Sequence, residues 1–280
     1  MPSDALKSRA CLLLAAFLFS TGGAAIKGSS FGAWEIAGAR SLIAAAVLLA
    51  LVPEARRRVN WRHLLVGLSY ALTIVTFVAA NKLTTSANAI FLQSTGPIYL
   101  LLAAPLLLKE PVKRADAWAM ALMAAGMSLF FVDAERATAI ATDPARGNVL
   151  GAISGLFWAG VVAGLRWLER DAPGCGPATV AVGNVLAFVI SVPFLTGIPA
   201  GTATDWAGVI YLGCFQLALA YVLLSRGLRG VPALEASLLL LLEPALNPVW
   251  TWLALAEMPS AWAIAGGVLI VSATVVRLRG

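Results

Sequence analysis

Apolar stretches long enough to cross a membrane recur from one end of this 280-residue chain to the other. Charged residues make up only 12% of the sequence, whereas soluble proteins carry about 25%. This balance predicts a polytopic helical membrane protein and leaves no room for a sizeable soluble domain. We interpret the first stretch as a membrane helix rather than as a secretory signal. The ten predicted spans are 10–26, 34–52, 63–80, 88–107, 116–132, 148–167, 176–195, 206–225, 232–253 and 260–276.

The distribution of basic residues predicts how the chain lies in the membrane. Of the 20 lysines and arginines, 15 fall at the two chain ends and in the loops on their side, 4 fall on the other side, and Arg40 lies within the second span. Because cytoplasmic loops carry an excess of basic residues, both termini are expected in the cytoplasm. The same placement accounts for the net charge of +6 without a nucleic-acid partner.

The sequence resembles itself at an offset of 147 residues. Pro97 falls on Pro244 and Glu110 falls on Glu257, so each half has a glutamate 13 residues after a mid-span proline. The repeat comprises five spans, and this odd number forces the second copy to cross the membrane in the opposite direction. The predicted domains, each one repeat, are residues 1–142 and 143–280.

Four short motifs carry a resemblance to a known family. They are GAR (38–40), GP…KEP (96–111), GNVLGAISGLFWAG (147–160) and LEP…E (242–257). The chain resembles the EamA-type branch of the drug/metabolite transporter superfamily and, within it, the YddG-type exporters of aromatic and other amino acids. The resemblance implies an all-α protein of ten transmembrane helices in two inverted five-helix repeats. It also implies the bacterial inner membrane, alternating access without ATP hydrolysis, and a cavity lined mainly by helices 1, 3, 4, 6, 8 and 9.

Polar and aromatic side chains recur at similar depth in several spans and form a candidate substrate cavity. Each one alone is better explained as a helix–helix hydrogen bond or a lipid-facing ring, but together they suit a small zwitterion with an apolar side chain. Glu243 lies near the middle of its span, where it either contacts substrate or has a structural or gating role. The candidate substrate-binding residues are Ser20, Tyr70, Thr73, Phe77, Asn88, Gln93, Tyr99, Trp158, Gln216, Tyr221, Ser237 and Glu243.

Residues that bend a helix or bury a charge form a second group. Gly96, Pro97, Pro244 and Pro248 are candidate hinge or gating residues, because each proline removes an amide donor and bends its helix. These bends act either as hinges or as static kinks that shape the cavity. We interpret Arg40 as a structural charge that pairs with Glu35 or with helix-end carbonyl groups. In either role, these residues belong to the architecture of the bundle.

Several function classes lack the residues they require. His63 is the only histidine, and neither GxSxG nor GxxxxGK[ST] occurs, so we expect no enzyme, metal or cofactor. Phosphorylated substrates are not expected, because spans 4 and 9 carry no mid-span cation. Two alternatives stay open: export of cationic drugs that use Glu243, and a non-transporting scaffold or receptor. Small residues at every fourth position from Gly147 predict close helix packing within a monomer. The expected partners are amino acids, as substrates, and membrane lipids.

Overall fold

The structure, a computed structural model, describes residues 2–129, 142–195, 200–255 and 261–279. These ranges contain helices and turns but no strand. The α-helices are α1 (Pro2–Ser20), α2 (Gly22–Gly28), α3 (Ala33–Leu51), α4 (Trp61–Leu83), α5 (Ser86–Gln93), α6 (Gly96–Ala103), α7 (Arg114–Leu129), α8 (Pro144–Asp171), α9 (Gly176–Ser191), α10 (Ala203–Tyr211), α11 (Ala220–Gly230), α12 (Ala233–Leu240), α13 (Leu242–Leu255) and α14 (Ala261–Arg279). Ala104–Leu108 and Leu212–Leu219 are π-helical, and Pro53–Arg56 and Val192–Phe194 are 3-10 helices.

Seven helical segments within the described ranges are long and apolar enough to cross a membrane. They are Asp4–Gly28, Ala33–Leu51, Trp61–Leu83, Asn88–Leu108, Pro144–Asp171, Gly176–Phe194 and Ala203–Gly230. The other three predicted spans contain shorter helices. Helix α7 has 16 residues, α13 has 14, and the apolar part of α14 is Ile264–Ala273. The protein is therefore a multi-pass helical membrane protein. By length and apolar composition, seven spans are identified within the described residues.

Capping residues set the ends of the helices around the bundle centre. The Asn60 side chain accepts the backbone N–H groups of Arg62 and His63 and so begins α4. Thr202 and Asp205 form a reciprocal capping box that begins α10. These side chains satisfy amide groups that the first turn of a helix leaves without partners.

Helix α4 lies at the centre of the bundle, packed against α8 on one side and α9 on the other. Around this core, α1 packs against α11, and α3 packs against α9 and the π-helical segment Leu212–Leu219. Helices α7 and α14 pair with each other and join the bundle through α12 and α13. Large apolar side chains point outward, as a lipid-facing surface requires; examples are Leu102, Leu106 and Trp118, which are 69–80% exposed.

The small-residue face of α8 packs inside the chain. A Cβ atom at Gly155 would lie 2.7 Å from the carbonyl oxygen of Leu92 and 2.8 Å from Oγ1 of Thr95. Gly151 faces Leu92 in the same way, and Gly147 faces Thr84. The lack of a side chain therefore lets α8 approach α5 closely within the chain.

This contact gives a stability prediction. Gly155→Ala is expected to lower the free energy of unfolding by about 1–3 kcal/mol, because a methyl group has no space beside a backbone carbonyl. Thermal unfolding of the purified protein in detergent measures the change. The control is Gly208→Ala in α10, where nothing lies within 4 Å of the added Cβ. Equal stability of the two variants would show that α8 and α5 are not in this close contact.

Three predicted spans are each divided into two helices. The span 10–26 is interrupted at Thr21, the span 88–107 at Ser94 and Thr95, and the span 232–253 at Leu241. The sequence predicted continuous helices bent at prolines, and this is wrong in detail, because Pro97 and Pro244 each lie in the first turn of a new helix. A proline is tolerated there, since the amide it lacks would have no partner in the helix.

Candidate functional site

The helix breaks bring side chains from distant parts of the chain to two adjacent pockets inside the bundle. The first, the break pocket, is a tight cavity of about 10 Å³, which is room for roughly one water molecule. Its lining residues are Gln93, Ser94, Pro97, Trp158, Ser237, Leu240, Leu241 and Glu243. At the 147-residue offset, Gln93 corresponds to Leu240 and Ser94 to Leu241. The break pocket therefore lies between two breaks that occupy equivalent positions in the two halves of the sequence.

The second pocket, the arginine pocket, is also tight, with a volume of about 20 Å³. Its lining residues are Phe19, Arg40, Thr73, Ile74, Phe77, Gln93, Trp158, Gln216, Leu217, Tyr221 and Glu243. Gln93, Trp158 and Glu243 also line the break pocket. Because three residues border both, the two pockets form one continuous region of polar and aromatic character.

A short chain of hydrogen bonds fixes the amide of Gln93 at this shared border. Its Nε2 donates to Oγ of Ser154 at 2.8 Å, and that hydroxyl donates to the carbonyl of Thr73 at 3.3 Å. Ser154 is fully buried in α8, so this link joins α5, α8 and α4 at the centre of the bundle. The remaining hydrogen-bonding capacity of the Gln93 side chain, its amide oxygen and its second N–H, is available to a bound molecule.

Three aromatic rings, those of Phe19, Trp158 and Tyr221, form one wall of the arginine pocket, and the Tyr70 ring packs against them. The Tyr221 ring meets those of Phe19 at 4.9 Å, Tyr70 at 4.6 Å and Trp158 at 6.0 Å, all edge to face. Phe19 also meets Trp158 edge to face at 5.7 Å. Such contacts add to apolar burial and hold each ring in one orientation. The wall is therefore rigid and mostly apolar.

Glu243 supplies a carboxylate to both pockets. It is the second residue of α13, immediately after the break at Leu241. Among the described residues, no hydrogen bond or ion pair to its side chain is present. The N-terminal end of a helix carries partial positive charge, which favours a carboxylate at this position. The helix end thus supports the acid, whose side chain borders both cavities.

Arg40 differs from the sequence interpretation. The carboxylate of Glu35 accepts the backbone N–H of Gly32 at 2.6 Å as part of the cap of α3, so it does not pair with Arg40. Arg40 instead donates from Nη1 to Oε1 of Gln216 at 3.3 Å. Its side chain is fully buried and borders the arginine pocket. The predicted pairing with Glu35 or with helix-end carbonyl groups is therefore wrong, because the neutral amide of Gln216 takes that place.

The structure brings eight of the twelve sequence-predicted cavity residues to the pockets. These eight are Thr73, Phe77, Gln93, Trp158, Gln216, Tyr221, Ser237 and Glu243. Ser20 instead bonds the Phe17 carbonyl and accepts the indole N–H of Trp250. Tyr70 supports the ring of Tyr221 from behind. The other two lie elsewhere: Asn88 in the first turn of α5, and Tyr99 half-buried against the core.

Three of the four predicted hinge residues, Gly96, Pro97 and Pro244, lie at the helix breaks. Gly96 and Pro97 begin α6, and a Cβ at Gly96 would lie 2.9 Å from the Trp158 ring. Pro244 is buried in the first turn of α13. The backbone at Pro248 is helical, and its side chain lies outside the described residues, as does the whole of Glu257. Pro97 therefore lines the break pocket, and Gly96 faces the Trp158 ring that borders both pockets.

Ion pairs join the helices at one end of the bundle, and we call this group the ionic seam. It consists of Arg9–Glu235 at 2.8 Å, Arg166–Glu110 at 2.7 Å and Arg229–Glu169 at 2.8 Å. Glu110 also accepts the backbone N–H of Ala233 at the start of α12. These contacts connect α1, α8, α11 and α12 at that end, with the chain just after α6 bound to the same group.

The described residues contain no group of three or more His, Cys, Asp or Glu side chains that could hold a metal ion. Of the three cysteines, which are all free thiols, Cys175 is buried between α8 and α9. Burial, with the nearby Glu169 carboxylate, raises the pKa of its thiol to about 11. A thiol with that pKa is a weak nucleophile at neutral pH.

Comparison with known proteins adds a family to this geometry. The model of the EamA-like transporter family matches residues 7–132 and again residues 145–279. Two relatives, each described as the pseudopaline exporter CntI, come from the UCBPP-PA14 and PAO1 strains of Pseudomonas aeruginosa. Each is 29% identical to this chain over 294 residues, covering 100% of this chain and 99% of the relative. One solved crystal structure superimposes with a TM-score of 0.76 at 17% identity, over 99% of this chain and 97% of that one, which is a likeness of fold.

Proposed function

Because the chain belongs to the EamA-like transporter family, we propose that it is a secondary transporter that exports small neutral metabolites, foremost amino acids, across the bacterial inner membrane. The observation that carries the proposal is the pair of connected pockets between helix breaks, since transporters bind substrate where their helices are discontinuous. The walls are mostly apolar and aromatic, with a few polar groups such as Gln93, Gln216 and Glu243. This lining suits a small zwitterion with an apolar side chain.

The proposal includes the architecture typical of the family. Residues 1–142 and 143–280 would form two inverted repeats of five helices, with both termini in the cytoplasm. The double match of the family model, which divides the chain at nearly the same place, supports this division. So does the correspondence of the two breaks that flank the break pocket.

Alternating access would then use the breaks as hinges. The ionic seam lies at the end that the charge distribution predicts to be cytoplasmic, where it joins the helices that must separate for substrate to enter from inside. Arg166 binds Glu110 through Nε and the carbonyl groups of Leu228 and Arg229 through Nη1. Opening toward the cytoplasm would break these bonds, while the breaks at Leu241 and Ser94 would absorb the change of backbone direction.

The direction of transport is carried over from the relatives. Two of them are named exporters, and the match extends over the whole of both chains. A second candidate substrate class is small organic cations, because the carboxylate of Glu243 has no partner among the described residues and borders both pockets. In that case the transporter would extrude cationic compounds rather than zwitterions.

Counterflow into proteoliposomes tests the proposal. Vesicles that hold the purified protein and an excess of unlabelled solute are expected to accumulate labelled phenylalanine or leucine, but neither a sugar phosphate nor a cationic dye. Protein-free vesicles are the control. Accumulation of the dye alone would show that the substrates are cations rather than amino acids. The absence of flux for every solute would favour a scaffold or receptor.

A further inference from the structure

Arg40 carries a cation that the protein itself leaves mostly unsatisfied. Its side chain is 0% exposed, and a charge in the middle of a membrane costs at least about 2.5–3.5 kcal/mol. Proteins retain such a charge where something stabilises it. Here the only hydrogen bond to the guanidinium among the described residues is the one to Gln216, at 3.3 Å and to a neutral oxygen. Nε and Nη2 have no partner in that part of the chain.

The geometry of these two atoms is informative. Nε and Nη2 lie on the same edge of the guanidinium group, and their N–H bonds point in parallel. Two parallel N–H groups match the two oxygens of a carboxylate, which gives the strongest and most directional pairing that arginine makes. Nη1, which lies on the other edge, is the atom that Gln216 occupies. The protein thus uses one edge and leaves the carboxylate-matching edge unpaired.

Close backbone contacts hold this pair in place. A Cβ at Gly213 would lie 2.9 Å from the Arg40 carbonyl oxygen, and a Cβ at Gly22 would lie 2.8 Å from Nε2 of Gln216. Gln216 is therefore confined between α2 and Arg40. It lies in the π-helical segment Leu212–Leu219, and local π-helix of this kind is frequent at functional sites because it redirects side chains.

The arginine pocket offers a matching arrangement of charge. Arg40 and Glu243 both border it, and although both are described they form no ion pair with each other. The pocket is closed to about 20 Å³ in this structure, so a substrate enters only when the helices around it separate. It can then present a carboxylate to Arg40 and an ammonium group to Glu243. Phe19, Phe77 and Leu217 supply the apolar walls between them.

We propose that Arg40 binds the carboxylate of the transported molecule through Nε and Nη2, with Gln216 as the residue that positions the guanidinium group. This inference rests on the proposed function and makes it more specific, because it requires that every good substrate carry a carboxylate. It also reverses the structural role that the sequence indicated for Arg40. Amines without a carboxylate, including cationic drugs, become poor ligands.

Binding of labelled phenylalanine to the purified protein in nanodiscs tests the inference by competition. The competitors are phenylalanine, phenylalaninamide, 3-phenylpropanoate and inorganic phosphate. The amide lacks the carboxylate and 3-phenylpropanoate lacks the ammonium group. Phosphate tests whether a doubly charged anion is enough for binding. In the unchanged protein, the amide is expected to compete about 10- to 100-fold more weakly than phenylalanine, the range for hydrogen bonds to a charged group. Equal competition by the two would overturn the inference, and so would phosphate that competes as well as phenylalanine.

Variants separate binding from structure. Arg40→Lys keeps the charge but loses the paired N–H groups, so we expect the preference for phenylalanine over its amide to fall about tenfold or more. Gln216→Leu should lower the same ratio, because the guanidinium group is no longer held in position. Ser41→Ala, at a buried neighbouring position of α3, should leave it unchanged. A loss of affinity that is equal for acid and amide in the Arg40 variant would make Arg40 structural and sink the inference.

The outcome also distinguishes this inference from the proposed function. Labelled 3-phenylpropanoate is measured directly as a second probe. If phenylalanine does not bind the unchanged protein but 3-phenylpropanoate does, and Arg40→Lys removes that binding, amino acids fail as substrates while the carboxylate site stands. If neither probe binds the unchanged protein, the carboxylate site is wrong. If Arg40→Lys does not fold, the preference for phenylalanine over its amide is compared between the unchanged protein and Gln216→Leu, and this comparison tests the carboxylate site instead.

Discussion

Glu243→Gln is expected to lower the affinity for phenylalanine by about 10- to 100-fold, because the substrate ammonium group would lose a charged hydrogen-bond partner. The side chain keeps nearly the same size and stays in the first turn of α13, beside both pockets. Binding of labelled phenylalanine measures the affinity, and counterflow into proteoliposomes measures the matching loss of flux at a concentration below saturation.

A substrate analogue distinguishes direct contact between Glu243 and the substrate from a structural role of this residue. N-acetylphenylalanine has no ammonium group, so its binding should be no weaker in Glu243→Gln than in the unchanged protein. The control variant is Asp4→Asn, whose acidic side chain is 73% exposed at the start of α1. An equal loss of affinity for both ligands would assign Glu243 to structure, and no loss for either would remove it from the substrate site.

Glu169→Gln is expected to lower the free energy of unfolding by about 1.5–3 kcal/mol. The Glu169 carboxylate is fully buried and accepts the backbone N–H groups of Gly174 and Gly176 at 2.7 Å, together with Nε of Arg229 at 2.8 Å. A glutamine amide offers only one acceptor oxygen, so at least one of these donors loses its partner. Arg229 is 38% exposed, so water compensates for part of its loss.

Thermal unfolding in detergent measures this effect against a neighbouring acid. Asp171 lies two residues further along α8, where its side chain is 39% exposed and pairs with Arg62 at 3.2 Å. Asp171→Asn should cost no more than about 1 kcal/mol, as exposed ion pairs do. If the two variants unfold at the same temperature, the loop between α8 and α9 does not depend on the buried carboxylate.

The positions of the helices could largely be predicted from the sequence. Hydropathy, loop composition and caps such as Asn60 are local signals, and the membrane imposes helix on every apolar stretch. The interruptions were harder to place. Pro97 and Pro244 marked two of them, but a proline permits either a bend in one helix or the start of another. The break at Thr21 has no proline, so only packing in three dimensions reveals it.

The candidate site was predicted in part, for a related reason. Residue type and depth in the membrane indicate a cavity, but they do not say which way a helix is rotated. Ser20 and Tyr99 therefore satisfied the sequence pattern although they lie outside the pockets. Arg40 was visible as a charge in a span, but its partner Gln216 lies 176 residues away. No local signal links the two.

The most direct test of a substrate site between the helix breaks is the reactivity of a thiol placed there. Ser237 is 1% exposed, borders the break pocket and makes no hydrogen bond through Oγ within the described residues, so Ser237→Cys is a small change. The variant is made with Cys11, Cys175 and Cys214 replaced by serine, and Ser128→Cys on the exposed face of α7 is the control. Saturating phenylalanine is predicted to slow alkylation severalfold at position 237 and to leave position 128 unchanged. Equal rates with and without phenylalanine at position 237, in protein that catalyses counterflow, would contradict a substrate site between the breaks.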